Sequence, residues 1–139
     1  MKSYLAGPLF ASAEQEFNRQ LCSRLQQAGH EVWLPQEHEP HEGTAKAIFE
    51  EDVGGMDWAE VIVANMDGPD PDSGTCWECG YAYGKKPIVL YRTDFRRVGD
   101  AENTPFNLMI SQSANAIIVA PRASPPQVAE RVCEELRRL

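Results

Sequence analysis

The chain of 139 residues predicts an α/β fold: a five-stranded, doubly wound parallel sheet forming a single domain over residues 1–139. Three observations point there. Short β-rich runs alternate with longer stretches whose apolar residues recur at helical spacing, the pattern of successive strand–helix–strand units. The run Val61-Ile62-Val63-Ala64 is apolar throughout, as a strand covered on both faces requires. Hydrophobic residues make up 42% and aromatic residues 9% of the chain, enough for one core and too many for a disordered segment.

The elements follow in order. Ser3-Tyr4-Leu5-Ala6 is the first strand and stops at Gly7-Pro8. Between Ser12 and Ala28 the residues Phe17, Leu21, Leu25 and Ala28 share one helical face, and Gly29 ends that helix. Glu31-Val32-Trp33-Leu34 is the second strand, cut off by Pro35; Gln36 to Gly43 is a loop containing His38, Pro40 and His41. A helix runs from Thr44 to Trp58, weakened by Gly54-Gly55. After the third strand, Val61 to Ala64, the stretch Met66 to Gly74 is a loop rich in Asp, Pro and Gly. A helix over Thr75 to Gly84 leads to the fourth strand, Pro87 to Tyr91. Thr93 to Pro105 is charged and irregular, and Phe106 to Gln112 forms a short helix. Ala116 to Val119 is the fifth strand. Ser124-Pro125-Pro126 starts a last helix, which Arg137-Arg138 ends with charge suited to a C-terminal dipole. Five strands in this alternation specify a flavodoxin-like sheet, whose ligands bind beyond the carboxyl ends of the strands. The loops after Ala6, Ala64 and Tyr91 are therefore the places to expect a site.

Charge and composition exclude several functions. Lys and Arg number 13 against 21 Asp and Glu, a net charge of −8. With no basic cluster, nucleic acid is not an expected partner, because phosphate neutralisation supplies most of that affinity. No apolar run approaches the ~18–20 residues of a membrane span, and the N-terminus lacks the features of a signal peptide. No membrane association is expected. Four cysteines without an export signal imply reduced thiols and a cytoplasmic protein.

Chemistry concentrates in the loop after the third strand. Asp67, Asp70 and Asp72 stand beside Gly74, and Glu78 follows six residues after Asp72, on the helix. Two carboxylates so placed suit cleavage of a glycosidic bond, one at the anomeric carbon and one managing a proton on the leaving group. A structural reading competes: Thr75-Cys76-Trp77-Glu78 fits a capping box, in which Glu78 bonds back to the Thr75 backbone N–H. Spacing alone leaves both open. Cys76-x-x-Cys79 invites a redox or metal role, but it is half a zinc site, and Cys22 and Cys133 supply no matching pair. No metal is expected. His38 and His41 read as solvated loop residues. Gly7-Pro8 lets a ligand approach the backbone, yet the chain lacks the glycine patterns of a dinucleotide or triphosphate site.

Taken together, five segments resemble the nucleoside 2-deoxyribosyltransferase family. They are Tyr4-Leu5-Ala6-Gly7-Pro8-Leu9-Phe10, Asp52 within Phe49-Glu50-Glu51-Asp52, Asp72-Ser73-Gly74-Thr75 with Glu78 and Gly80-Tyr81-Ala82, Lys86-Pro87, and Asn107-Leu108-Met109. The resemblance implies that Glu78 is a nucleophile attacking C1′ of a 2′-deoxynucleoside, with retention through a covalent deoxyribosyl-enzyme and no cofactor. It implies that Asp72 protonates the departing base and that Tyr4 orients Glu78. Gly7, Leu9, Phe10 and Asp52 would line the base side. Asn107 and Met109 match residues lent to a neighbouring subunit's site, so a homo-oligomer with shared sites is implied. The partners are then a 2′-deoxynucleoside and a free nucleobase. The position of Glu78 near a helix N-terminus suggests a carboxylate kept ionised at neutral pH.

Two other functions fit the same frame. One is hydrolysis of a deoxynucleoside 5′-monophosphate; relatives with that activity tend to carry a Ser-rich, Arg-containing pocket after the first strand, and a Ser where Asn107 stands. The other is a non-enzymatic nucleoside sensor, since fold does not fix function. Gly7-Pro8-Leu9-Phe10 and Asn107 favour an uncharged 5′-hydroxyl and hence transfer.

Overall fold

The computed structural model describes residues 1–38 and 43–139; Pro40 and His41 of the expected loop lie outside them. Five strands form one all-parallel sheet in the order β2-β1-β3-β4-β5. They are β1 (Lys2–Ala6), β2 (Glu31–Trp33), β3 (Val61–Asn65), β4 (Ile88–Arg92) and β5 (Ala116–Val119). The helices between them are α1 (Ser12–Gln27), α2 (Ala45–Trp58), α3 (Ser73–Ala82), α4 (Leu108–Ser113) and α5 (Pro125–Leu136). The flavodoxin-like, doubly wound architecture is thus the one the alternation of runs predicts.

Strand periodicity divides the core into two layers. Leu5, Val61, Val63, Val89 and Tyr91 point to one face and pack with Leu21 and Leu25 of α1 and Val128 and Val132 of α5. Their neighbours Tyr4, Ala6, Ile62, Ala64, Ile88 and Leu90 point to the other, against Met56 of α2, Cys79 and Ala82 of α3, and Phe106. Successive residues of a strand face opposite ways, so a strand buried on both sides has no polar face. This alternation decides where the chemistry lies, because it sends Tyr4 toward α2 and α3.

Some boundaries differ from those expected. Helix α3 begins at Ser73, before Thr75, because Asp72 caps it: the Asp72 carboxylate accepts from the Thr75 N–H at 2.9 Å and the Thr75 hydroxyl at 3.0 Å. The Thr75–Glu78 capping box is therefore not formed, and Glu78 is left for other work. Helix α2 continues unbroken through Gly54-Gly55, capped at Thr44. Gly55 is there for clearance, since a Cβ added to it would lie inside the Trp33 indole. A 3₁₀ turn, Pro35–Glu37, occupies the start of the expected loop after β2. Lys86 closes the far end of α2, donating from Nζ to the carbonyls of Met56 and Ala59.

Candidate active site

Strand β1 is flanked by β2 on one side and β3 on the other, so the chain reverses its winding there. At that reversal the loops leaving the carboxyl ends of adjacent strands diverge and open a crevice. A cavity of about 200 Å³ occupies it, bounded by Gly7, Leu9 and Phe10 after β1, Pro35 and His38 after β2, Ile48, Glu51 and Asp52 on α2, and Asp72, Gly74, Thr75 and Glu78 around the start of α3. Gly7 is needed for a close approach of chain to chain: a Cβ there would sit 3.1 Å from Cβ of Asn65 at the end of β3.

The chemical centre is a contact between residues far apart in sequence. The fully buried Tyr4 donates from its hydroxyl to Oε1 of Glu78 at 2.5 Å. Burial pushes the Glu78 carboxyl up to about 7; the Tyr4 hydrogen bond works against that rise, and the charges of Asp52 and Asp72 add to it. The Tyr4 phenol is raised well above its ordinary value by burial and by the Glu78 charge, so it remains a donor. Glu78 lies in the second turn of α3, beyond the first-turn N–H groups, which explains why it is not held ionised as a helix N-terminus would hold it. A carboxylate shared between both protonation states near neutral pH, with one oxygen fixed by a phenol, is suited to act as nucleophile or proton carrier.

Of the residues expected at a site, Tyr4, Gly7, Leu9, Phe10, Asp52, Asp72 and Glu78 converge on this crevice. A second cavity of about 310 Å³, bounded by Phe49, Val53, Met56 and Trp77, adjoins it through Asp52, Gly74 and Glu78. Asn107 and Met109 lie elsewhere. The Asn107 side chain caps α4, accepting from the Met109 and Ile110 N–H groups and donating to Asp100 at 2.8 Å. Met109 is 73% exposed and borders a different cavity, with Cys76, Cys79 and Tyr83 of α3 and its C-cap.

Three expectations need correction. Asp67 does not face the crevice: it accepts from the Thr93 and Asp94 N–H groups at 2.6 and 2.7 Å and from the Thr93 hydroxyl at 2.5 Å, tying the loop after β3 to the loop after β4. Asp70 is exposed and outside the cavity. His38 is exposed but not merely solvated, for its ring stacks on Trp33 with centroids 3.8 Å apart and 13° between planes. His38, Pro35, Ile48 and Glu51 are lining residues that sequence reasoning missed, while Gly74 and Thr75 belong to a segment it had already marked. Glu51 had a signal, standing beside Asp52; the others needed the fold.

The cysteines take no part. All four are free, and Cys79 packs in the core beneath α3. Burial pushes the Cys79 thiol up to about 12 and raises Cys76 as well, the reverse of a reactive thiol. Among the described residues no group of three or more His, Cys, Asp or Glu is arranged to hold a metal ion, and no helix is long and apolar enough to cross a membrane.

Comparisons with known proteins bear on the family and the fold. A protein-family model described as Nucleoside 2-deoxyribosyltransferase matches residues 3–109. No curated protein sequence matches the chain. Among solved structures, a conserved protein from Enterococcus faecalis V583 is 26% identical, with a TM-score of 0.79 over 99% of this chain and 98% of that one. A 2-deoxyribosyltransferase from the psychrotolerant bacterium Bacillus psychrosaccharolyticus is 27% identical, with a TM-score of 0.73 over 93% of this chain and 90% of that one. A CMP N-glycosidase from Clostridium botulinum shares the fold at 16% identity, with a TM-score of 0.68 over 97% of this chain and 99% of that one.

Proposed function

The chain belongs to the nucleoside 2-deoxyribosyltransferase family, and from that premise we propose that it transfers 2-deoxyribose between nucleobases through a covalent deoxyribosyl-Glu78 intermediate. The observation that carries this reading is the 2.5 Å hydrogen bond between Tyr4 and Glu78 at the floor of a crevice whose other acids are Asp52, Asp72 and Glu51.

In the first half-reaction an Oε atom of Glu78 forms an ester bond to C1′ as the C1′–N bond to the base breaks. The bonding pair leaves with the base, and Asp72 supplies the proton that neutralises it. Tyr4 orients Glu78 by donating to one of its carboxylate oxygens. In the second half-reaction a free base attacks C1′ from the vacated side and gives its N–H proton back to the Asp72 carboxylate, the ester bond breaks with its electron pair going to the Glu78 oxygen, and both side chains return to their starting states. Two inversions give retention, and one difficult displacement becomes two easier ones. Gly7, Leu9, Phe10 and Asp52 line the pocket for base and sugar. No cofactor enters the scheme.

An uncharged nucleoside is favoured over a nucleotide because the lining is acidic. Carboxylates of Glu51, Asp52 and Asp72 face the crevice, and among its described lining residues none is Lys or Arg. A 5′-phosphate would meet like charge with no cation to pair it. Asn107 and Met109, outside this crevice, are assigned to the site of a neighbouring copy in a homo-oligomer; the exposure of Met109 supports that role.

The test is to incubate the protein with deoxyinosine and free adenine or cytosine and to separate the products by chromatography. A new deoxynucleoside is the expected result. Free hypoxanthine without exchange would make the protein a hydrolase, and no turnover of any deoxynucleoside or deoxynucleotide would overturn the enzymatic reading.

A further inference from the structure

We propose that His38, held flat on Trp33, is the stacking surface for the nucleobase and so a specificity-determining residue of this pocket; the inference rests on the deoxyribosyl-transfer reading above. The construction beneath His38 is what singles it out. Trp33 ends β2, and its indole lies against α2, where Gly55 leaves room that any Cβ would fill. Trp58 packs on it at 5.9 Å with the rings tilted by 50°. The indole Nε1 is buried and has no hydrogen-bond partner among the described residues. A glycine inside a helix and an unpaired buried donor both destabilise the fold, and both are tolerated at the one ring that supports His38.

The approach of His38 to Trp33 is equally fixed. Leu34 and Pro35 are buried, and the 3₁₀ turn starting at Pro35 ends when the His38 N–H donates to the Pro35 carbonyl at 2.9 Å. Gln36 anchors that turn to α1, donating to the Gln15 carbonyl at 3.0 Å and accepting from Asn18 at 3.2 Å. His38 therefore reaches the cavity from a rigid support, with one ring face covered by Trp33. His38 lines the cavity, and the ring face turned away from Trp33 is the one left for a ligand to stack on. A flat heteroaromatic base gains from such a face whatever its hydrogen-bonding edge, and a larger ring system gains more. With the 79%-exposed Phe10 as the other aromatic residue at the cavity, His38 would favour purine over pyrimidine deoxynucleosides.

His38→Ala, His38→Phe and His38→Gln separate the possibilities, because the ring is exposed and its loss spares the core. The expected result is that His38→Ala raises KM for deoxyadenosine about tenfold and for deoxycytidine by less, with kcat within about twofold. His38→Phe should restore KM, and His38→Gln should not. Unchanged KM in His38→Ala, or rescue by Gln in place of Phe, overturns the stacking role. Should the wild type turn over no deoxynucleoside, the failure lies with the proposed reaction, and calorimetric binding of deoxyadenosine to Glu78→Gln, with and without His38→Ala, decides the role of His38. Weaker binding in the double variant supports it; equal binding or none overturns it.

Discussion

Two acidic corners share the carboxyl edge of the sheet, and they are built on opposite principles. Beyond β4, Asp94 is answered by two arginines. Both Asp94 oxygens accept from the Arg96 Nε–H at 3.0 Å, one also accepts from Arg96 Nη2 and the other from the Arg96 backbone N–H at 2.9 Å, and the carboxylate lies 3.8 Å from Arg92. Those donors hold its carboxyl well below the usual range. Arg92, fully buried, donates to the carbonyls of Met66, Gly68 and Arg96. Beyond β1 and β3, Glu78 has a neutral phenol for a partner and carboxylates for neighbours, and its carboxyl rises to about 7. One corner uses acids to fasten loops. The other keeps an acid chemically undecided, which stability alone would not select.

The largest effect that separates them is expected at Glu78. Glu78→Gln keeps a partner for Tyr4 and removes the nucleophile, so kcat for base exchange should fall by about a thousandfold or more. The same variant should be more stable than wild type at alkaline pH. The folded carboxyl binds its proton more tightly than the unfolded one, so the wild type loses stability as pH rises from about 4.5 through about 7. The glutamine loses nothing there. The difference should be absent below pH 4 and approach about 3 kcal/mol above pH 8, read by urea unfolding at each pH. Exchange at near-normal rate in Glu78→Gln would end the assignment of this corner as the reactive one.

Arg92→Met probes the opposite corner. Removing the guanidinium strands the Met66 and Gly68 carbonyls, leaves Asp94 only Arg96 as cationic partner, and should destabilise the fold by about 3–5 kcal/mol. The protein that remains folded at low temperature should keep its kcat. A variant with intact stability and lost activity would mean that the two corners have been assigned the wrong way round.

The two corners were not equally legible in the sequence. A strand run such as Val61 to Ala64 carries its own signature, because burial on both faces leaves no polar position, whereas the equally apolar run Ala116 to Val119 forms the edge strand and leaves Ile117 and Val119 exposed. Spacing alone marks Asp72 and Glu78 as candidates but leaves a capping role equally open, and only the family resemblance favours chemistry. Asp67 looked the same as Asp72 in that loop, yet its partners are the backbone of residues 93 and 94, which no local pattern encodes. His38 was misjudged for a related reason: its place depends on a 3₁₀ turn, on Trp33, and on a glycine in α2 that reads only as a weak point until the sheet brings them together. The capping box was a true motif match defeated by a better cap one turn earlier, Asp72.

A finer comparison is possible inside the reactive corner, since Tyr4 and Asp52 act on Glu78 in opposite directions. The Tyr4 hydrogen bond favours the ionised carboxylate and the Asp52 charge disfavours it. The kcat/KM profile should rise with pH through about 7 as Glu78 ionises. Tyr4→Phe should move that limb to higher pH and lower activity at pH 7 by about tenfold, the worth of one hydrogen bond to a charge. Asp52→Asn should move the limb to lower pH. Profiles that shift together, or stay in place, would show that the limb belongs to another group.

The smallest expected change is one of stability at Asp72, and it decides whether that residue belongs to both principles at once. Its carboxylate fastens α3 as an N-cap through Thr75, and it also lines the crevice beside Glu78. Asn caps a helix about as well as Asp, whereas Ala costs about 1 kcal/mol. Asp72→Asn should therefore unfold within about 0.5 kcal/mol of wild type, and Asp72→Ala about 1 kcal/mol lower. If the proton on the leaving base comes from Asp72, both variants should lose base exchange to a similar degree, since neither side chain can supply it. If the cap alone matters, activity should follow stability and Asp72→Asn should remain active. A residue that fails the first measurement mildly and the second severely is serving the fold with one property, its acceptor oxygen, and the reaction with another, its proton.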